Sequence, residues 1–569
     1  MPQKHFGLRR RIGSRLTSRR GFLAGAAATG AAAAAGLSLF APRPTTAQVG
    51  IPPAGTGIPG RRYVIKGGAV MSMDPAVGDF PRADVLVEGN KIVAVGPNLG
   101  ASGAEVIDAT GRIVMPGFID THHHQFETAL RSYLADGTLI LDGAPVPESA
   151  VAYYTSILLG FAPVYRPQDV YISELFGGLS QLDDGVTTVH DVSQIHHTPQ
   201  HSDAAIQALY DAGRRAAFGY FEGAGEGVVV NTPGYAYPQD ATRIYKKYFT
   251  SSDQLVHMIM GGEVYLGAVS TEQSWTIGRQ LGLQVAAHIL SPFGIRPILD
   301  LLAQGKGGSN GDIGIGPDNL FIHMTGMSDM AWNVVKQQGA QVSVACPIEM
   351  NMRHGMPPIL KLQSLGMEPS LSVDVECTLT ADFFTQMRSI MNLQRVLVNQ
   401  MILDQGNAPN AVDWGLPPAE ANTPWPAYPF SPAPAALPLT TRDALRFATI
   451  NGAKALRLDS KVGSLTPGKE ADIIILDATH INVWPINQVP GAVVSLMDRT
   501  NVETVIVAGK VRKWKGALLD VDLPRLRQEI EASRDYIFAN AFNNSATVLG
   551  GGPVSGLKRG IPVDPFRAN

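Results

Sequence analysis

Eight short apolar runs, set apart by helix-compatible stretches, leave this chain few ways to fold. They read RIVMPGFID (112–120), VTTVHD (186–191), RAAFGYFE (215–222), LVHMIMGG (255–262), LQVAAHI (283–289), NLFIHM (319–324), AQVSVACP (340–347) and PSLSVD (369–374). Their length and β-branched content predict strands. Segments such as STEQSWTIGRQLG, before the fifth run, and TADFFTQMRSIMNLQRVLVNQ, after the last, predict helices. Eight strand–helix alternations predict an α/β fold, a (β/α)8 TIM barrel over residues 115–455. A doubly wound open sheet is the alternative, but no Gly-rich phosphate turn supports it.

Alternating apolar and polar residues between Gly-containing turns fill 61–114 (YVIKGGAVMSM, ADVLVEGNKIVAVG, EVIDATGRIVMPG). The pattern returns after residue 460 (VGSLTPGKEADIIILD, VETVIVAGKVRKWKG). The segments 61–114 and 456–518 are expected to meet in one small β-sandwich domain built from both ends of the mature chain. A Pro-rich insertion at 404–440, with Trp414, Trp425, Tyr428 and Phe430, is expected to be an ordered lid or interface segment. Residues 519–569 read as a helix (PRLRQEIEASRDYIF) followed by a tail.

Residues 1–47 read as an address. SRRGFL (18–23) places Arg19 and Arg20 ahead of an apolar stretch and behind the basic Arg9, Arg10, Arg11 and Arg15, which resembles a bacterial twin-arginine (Tat) export signal. The stretch 22–40 is mostly Ala and Gly, so cleavage near Ala47 suits it better than a permanent span. An uncleaved N-terminal anchor is the alternative. The expected location is periplasmic or extracellular, with the Tat translocase as partner during export and no other membrane insertion.

The 46 basic and 49 acidic side chains leave a net charge of −3, which shows no nucleic-acid footprint. Two cysteines, Cys346 and Cys377, exclude a disulfide scaffold and a thiolate zinc cluster, and both are read as small buried residues. A small molecule is the expected substrate, and a homo-oligomer stays open.

The chemistry concentrates in MPGFIDTHHHQ (115–125). His122 and His124 stand two apart at a strand end, so both face the barrel while His123 faces outward. Two imidazoles from one strand make half of a metal site. His288 and His323 end the fifth and sixth runs, and Asp374 ends the last, where a carboxylate facing an apolar barrel needs a compensating cation or donors.

On these residues the chain resembles the amidohydrolase superfamily, and within it the cytosine-deaminase-like group that includes chlorohydrolases and triazine hydrolases. The resemblance runs from Tyr63 to Leu518. It is most specific in MPGFIDTHHH, DDGVTTVHD (183–191) and ALRFATINGAKALRLDSKVGSLTPGKEADIIILD (444–477). It implies His122, His124, His288 and Asp374 as metal ligands, Asp374 also as proton acceptor, and His323 as a ligand or the group that orients the attacking water. It implies one divalent metal, Zn²⁺ first and Fe²⁺ second, since LVHMIMGGE holds no Lys for a carbamylated bridge between two ions.

One position departs from the group. Its deaminases carry His-x-x-Glu on the fifth strand, and here Ser291 stands in the Glu position. Glu263 is the first candidate to replace that proton shuttle, followed by Glu349 and Glu376. His354 is read as facing solvent, with substrate contact as the alternative. The expected protein is therefore an exported metal-dependent hydrolase that uses activated water on an amide, lactam or amidine-type C–N bond, with Asp374, His323 and Glu263 as catalytic residues. Deamination of an aminoheterocycle and hydrolytic dehalogenation are alternatives. An exported binding protein without turnover is the reading from another class.

Overall fold

Gly117 divides the first apolar run in two, and only glycine fits there: a Cβ would stand 2.2 Å from the Thr187 side chain. In the computed structural model, which describes residues 50–147, 150–222, 237–310, 312–404 and 437–541, the segments on either side belong to different sheets. The address segment, the insertion up to residue 436 with its four aromatic residues, and the tail after 541 lie outside the described residues.

Before Gly117 come β1 (Arg62–Met71), β2 (Asp79–Glu88), β3 (Lys91–Gly96), β4 (Glu105–Asp108) and β5 (Arg112–Pro116). After it come β6 (Phe118–His123), β7 (Val186–Ser193), β8 (Arg215–Tyr220), β9 (Val256–Gly261), β10 (Val285–Ile289), β11 (Asn319–His323), β12 (Gln341–Val344) and β13 (Ser370–Leu371). These eight pair in sequence order and in parallel, one for each expected run. Helices separate them, for example Pro167–Asp183 between β6 and β7, and Ala268–Gln280 between β9 and β10; Phe383–Asp404 follows β13. Local chemistry sets their ends. Ser328 Oγ accepts the Ala331 amide to start Asp329–Gln338, and Gly339 at φ 72° stops it. The barrel closes where β13 returns to β6, with a bridge between His123 and Asp374. The expected (β/α)8 barrel is the observed one.

The chain then adds β14 (Ile473–Asp477), β15 (Val502–Val507), β16 (Lys510–Trp514) and β17 (Ala517–Leu518). They extend the first sheet in the order β17-β16-β15-β14-β5-β1-β2-β3, with β4 on β1. Both ends of the chain thus share one sheet. It is continuous and curls on itself, with Tyr63 Oη of β1 donating to the Gly509 carbonyl at 2.9 Å around a core that includes Val85, Val114, Ile475 and Val511. An ion triad joins sheet to barrel: Arg215 of β8 reaches Glu470 at 2.6 Å and Asp472 at 3.0 Å, all three buried. The terminal helix Leu523–Asn540 packs on Pro167–Asp183, where Ser533 Oγ donates to Asp169 at 2.8 Å.

Candidate metal and substrate site

Strand β6 brings two imidazoles to one point. Its register with β7 shifts between Asp120 and His123, and Thr121 and His122 both turn inward. Thr121 Oγ1 lies 2.8 Å from Ser370 Oγ, while His122 Nε2 lies 3.0 Å from His124 Nε2 and 3.0 Å from His288 Nε2. Asp120 anchors this stretch by accepting the amides of His122 and Val373 and the Gln181 side chain. His123 takes no part in the cluster. It is fully buried, and burial followed by the Arg214 charge pushes its pKa well down.

Asp374 completes the constellation. Its Oδ1 is 3.5 Å from His122 Nε2 and 3.6 Å from His124 Nε2, and its Oδ2 is 3.5 Å from His323 Nε2. The ligand atoms fall into two overlapping groups, His122–His124–His288 and His122–His323–Asp374, each within 4.8 Å. His323 and Asp374 hold left-handed backbone at φ 72° and 70°, a conformation that His and Asp tolerate better than most residues and that turns both side chains inward at strand ends.

Three of the four imidazoles are fixed from behind. His124 Nδ1 faces the Val192 carbonyl at 3.1 Å, His288 Nδ1 faces Glu263 Oε1 at 2.5 Å, and His323 Nδ1 faces Glu349 Oε1 at 3.0 Å. A partner on Nδ1 leaves Nε2 as the ligand atom. Burial, then the neighbouring imidazoles, pushes His122 and His124 well below the usual histidine range, so they are neutral. Burial, then the charges of Glu127, Glu349 and Asp120, pushes Asp374 well up. Tetrahedral zinc at ~2.0–2.1 Å sets ligand nitrogens about 3.3 Å apart, and His122 Nε2 stands 3.0 Å from each of its two imidazole neighbours. A divalent cation also offsets the cost of burying Asp374 as an anion. The donor set fits one such ion, and its imidazole and carboxylate chemistry suits zinc.

Two of the singled-out residues stand in unexpected places. Glu263, expected as a proton shuttle, is fully buried behind His288, with its second oxygen accepting the His288 amide at 3.1 Å. It meets His288 through both oxygens and does not line the pocket. His354, read as facing solvent, is 4% exposed and lines the pocket. Glu376 is held by Arg131 in two bonds of 2.8 Å. Cys346 and Cys377 are both free and buried.

The pocket opens onto His124, His288, His323 and Asp374. Tyr153, Tyr265, Phe293 and Met352 form much of its wall, and Gln194 and His354 add polar groups. Tyr153 donates to Glu127 Oε1 at 2.6 Å, and burial lifts Glu127 to about 8. Sequence reasoning missed Tyr153 and Gln194, which lie outside the eight runs. The only available signal was Glu127, three residues after the His122–His124 pair.

The family model described as "Amidohydrolase family" matches residues 113–412 and 433–512. A 5'-deoxyadenosine deaminase of Methanosarcina acetivorans is 24% identical over 505 residues, covering 84% of this chain and 99% of that one. A 5-methylthioadenosine/S-adenosylhomocysteine deaminase of Thermococcus kodakarensis is 26% identical over 450 residues, covering 76% and 90%. Two solved structures share the fold. A zinc-bound adenosine deaminase from Xanthomonas campestris has a TM-score of 0.63 at 18% identity, covering 84% of this chain and 98% of its own. A zinc complex of atrazine chlorohydrolase from Arthrobacter aurescens TC1 has a TM-score of 0.62 at 19% identity, covering 83% and 100%.

Proposed function

Because the chain belongs to the amidohydrolase family, we propose that this hydrolase of non-peptide C–N bonds removes the exocyclic amino group of a flat heterocycle, a cyclic amidine, and releases ammonia. The observation that carries the proposal is the placement of Asp374 on the wall of an aromatic-sided pocket, beside three imidazoles that fit a metal. The deaminase relatives, matched over most of their length, support the same bond type.

His122, His124, His288 and Asp374 would hold a divalent cation, which would supply the Lewis acidity that makes water a nucleophile near neutral pH. Asp374, whose Oδ2 has no hydrogen-bond partner in the protein, accepts the proton that water loses on attacking the sp² carbon. His323, oriented by Glu349, presents Nε2 3.5 Å from Asp374 Oδ2 and steadies the oxygen being added. Asp374 then passes the proton to the departing nitrogen, so one water enters and one ammonia leaves.

A second reading, hydrolysis of an amide or lactam, is favoured by Ser291. Its Oγ is occupied by the His354 carbonyl at 3.3 Å and offers no acid to a ring nitrogen. Zinc-loaded protein assayed on adenine nucleosides, other aminoheterocycles, lactams and simple amides separates the two. Ammonia from aminoheterocycles supports the proposal, and turnover confined to lactams and amides replaces it with the second reading.

Export by the Tat route is proposed from Arg19 and Arg20 in SRRGFL. Among the described residues no helix is long and apolar enough to cross a membrane. Replacing both arginines by lysine is expected to leave folded precursor in the cytoplasm, and unimpaired export of that variant overturns the route.

A further inference from the structure

We propose that His354 is the residue that hydrogen-bonds the substrate heteroatom beside the reacting carbon, and that Ser291 and Thr325 exist to aim it. The inference rests on the aminoheterocycle reading above and names the residue that recognises the ring.

Three observations converge on His354. It is 4% exposed, yet neither ring nitrogen has a hydrogen-bond partner in the protein. An imidazole offers one N–H and one lone pair, and burying both unmatched is costly unless a ligand meets them. The ring lines the pocket with its Nδ1 4.0 Å from Asp374 Oδ2, too far for a hydrogen bond and outside both metal-ligand groups. It also packs edge to face on His323, with ring centroids 4.8 Å apart. A substrate placed for attack beside Asp374 therefore lies next to this ring.

The main chain around His354 is built to hold that position. Arg353 and Gly355 on either side both adopt left-handed backbone, at φ 62° and 112°. The His354 carbonyl accepts two hydroxyls, Ser291 Oγ at 3.3 Å and Thr325 Oγ1 at 2.5 Å, from the segments after β10 and β11. The approach is so close that a Cβ on Gly355 would stand 2.9 Å from Ser291 Oγ. Two barrel strands thus grip one peptide group and direct its imidazole into the cavity. Gln194 Oε1, on a side chain 4% exposed, is also buried on the pocket wall without a partner. An N–H and a lone pair on His354 with an acceptor on Gln194 match a ring that carries an amino donor next to a ring nitrogen.

Adenine is the probe, measured by calorimetry on full-length zinc-loaded protein. Wild type is expected to bind it, and His354→Phe to bind about tenfold or more weakly with zinc content unchanged. His354→Gln, which keeps a donor and an acceptor, is expected to recover part of the loss. Ser291→Ala is expected to cost about threefold in the wild-type background and nothing further in His354→Phe, because a positioning residue acts only through the residue it positions. Equal affinity in His354→Phe, loss of zinc with that substitution, additive losses in the double variant, or no adenine binding by wild type overturns the assignment. Turnover is not needed here. Adenine bound in a His354-dependent way but no aminoheterocycle converted would remove the deaminase reading alone.

Discussion

The backbone of Asp374 is hydrogen-bonded into the same strand that carries His122: the Asp374 amide donates to the His122 carbonyl at 2.9 Å, and the His124 amide donates to the Asp374 carbonyl at 2.8 Å. The seam that closes the barrel is therefore also the candidate metal site. Barrel closure and ligand geometry are coupled, since a β13 that fails to return to β6 separates Asp374 from the imidazoles.

This coupling predicts that metal stabilises the fold. Removing zinc with a chelator is expected to lower the unfolding midpoint, and readdition to restore it, by about 2.7 kcal/mol when free zinc is a hundredfold above its dissociation constant. Calorimetry with and without chelator checks this. His124→Ala is expected to lose both the metal and the dependence.

His123→Ala separates the two faces of β6. His123 is fully buried but belongs to neither ligand group. The variant is expected to retain zinc at wild-type stoichiometry while losing about 1–3 kcal/mol to the vacated volume and its disturbed polar surroundings. Metal analysis beside denaturant unfolding tests this, and loss of zinc would show that β6 is assigned in the wrong register.

Glu263→Gln tests the orientation of His288. The carboxylate holds both the Nδ1 and the amide of His288. Zinc affinity is expected to fall about 10–100-fold, as for other partners of a ligating histidine. Activity at saturating zinc should be less affected. Competition with a chromophoric chelator gives the affinity, and unchanged affinity would return Glu263 to the shuttle role that the sequence suggested.

Arg215→Met breaks the buried triad between barrel and sheet and leaves Asp472 without the guanidinium and Glu470 with only Lys91, 3.6 Å away, at an expected cost of about 3–5 kcal/mol at pH 7. The pH dependence has a definite sign. Burial resists ionisation of Glu470, but Arg215 and its hydrogen bond, with Lys91 and Lys461 adding to them, together hold the carboxyl below its ordinary value. Stability from this depressed group is present above the unfolded-state pKa and lost as pH falls through the folded one. The gap between wild type and Arg215→Met should therefore be widest near neutrality and narrow below about pH 4. Urea unfolding across pH checks it, and a gap independent of pH would show that packing alone accounts for the loss.

The eight apolar runs, the histidines at their ends and the closing Asp374 were legible because alternation and spacing along one strand decide which side chains share a face. That information is local, so the barrel and five metal-facing candidates could be named from the sequence. What holds those five in place is not local. His288 meets His122 across 166 positions of sequence, and its partner Glu263 stands 25 positions before it. A carboxylate one strand away reads equally well as a shuttle in the pocket or a brace behind a ligand, and only the packing of β9 on β10 decides which. His354 follows the same logic: in the sequence it is a polar residue in a Gly-containing loop, the pattern of an exposed turn. Ser291 and Thr325, which capture its carbonyl, belong to segments that barrel closure brings beneath that loop. The sequence by itself determined the strands and the candidate metal donors, because periodicity is a property of neighbouring residues. The tertiary structure decided which polar groups brace the ligands and which face the substrate, because hydrogen-bond partners across a closed barrel exist only once its first and last strands have met.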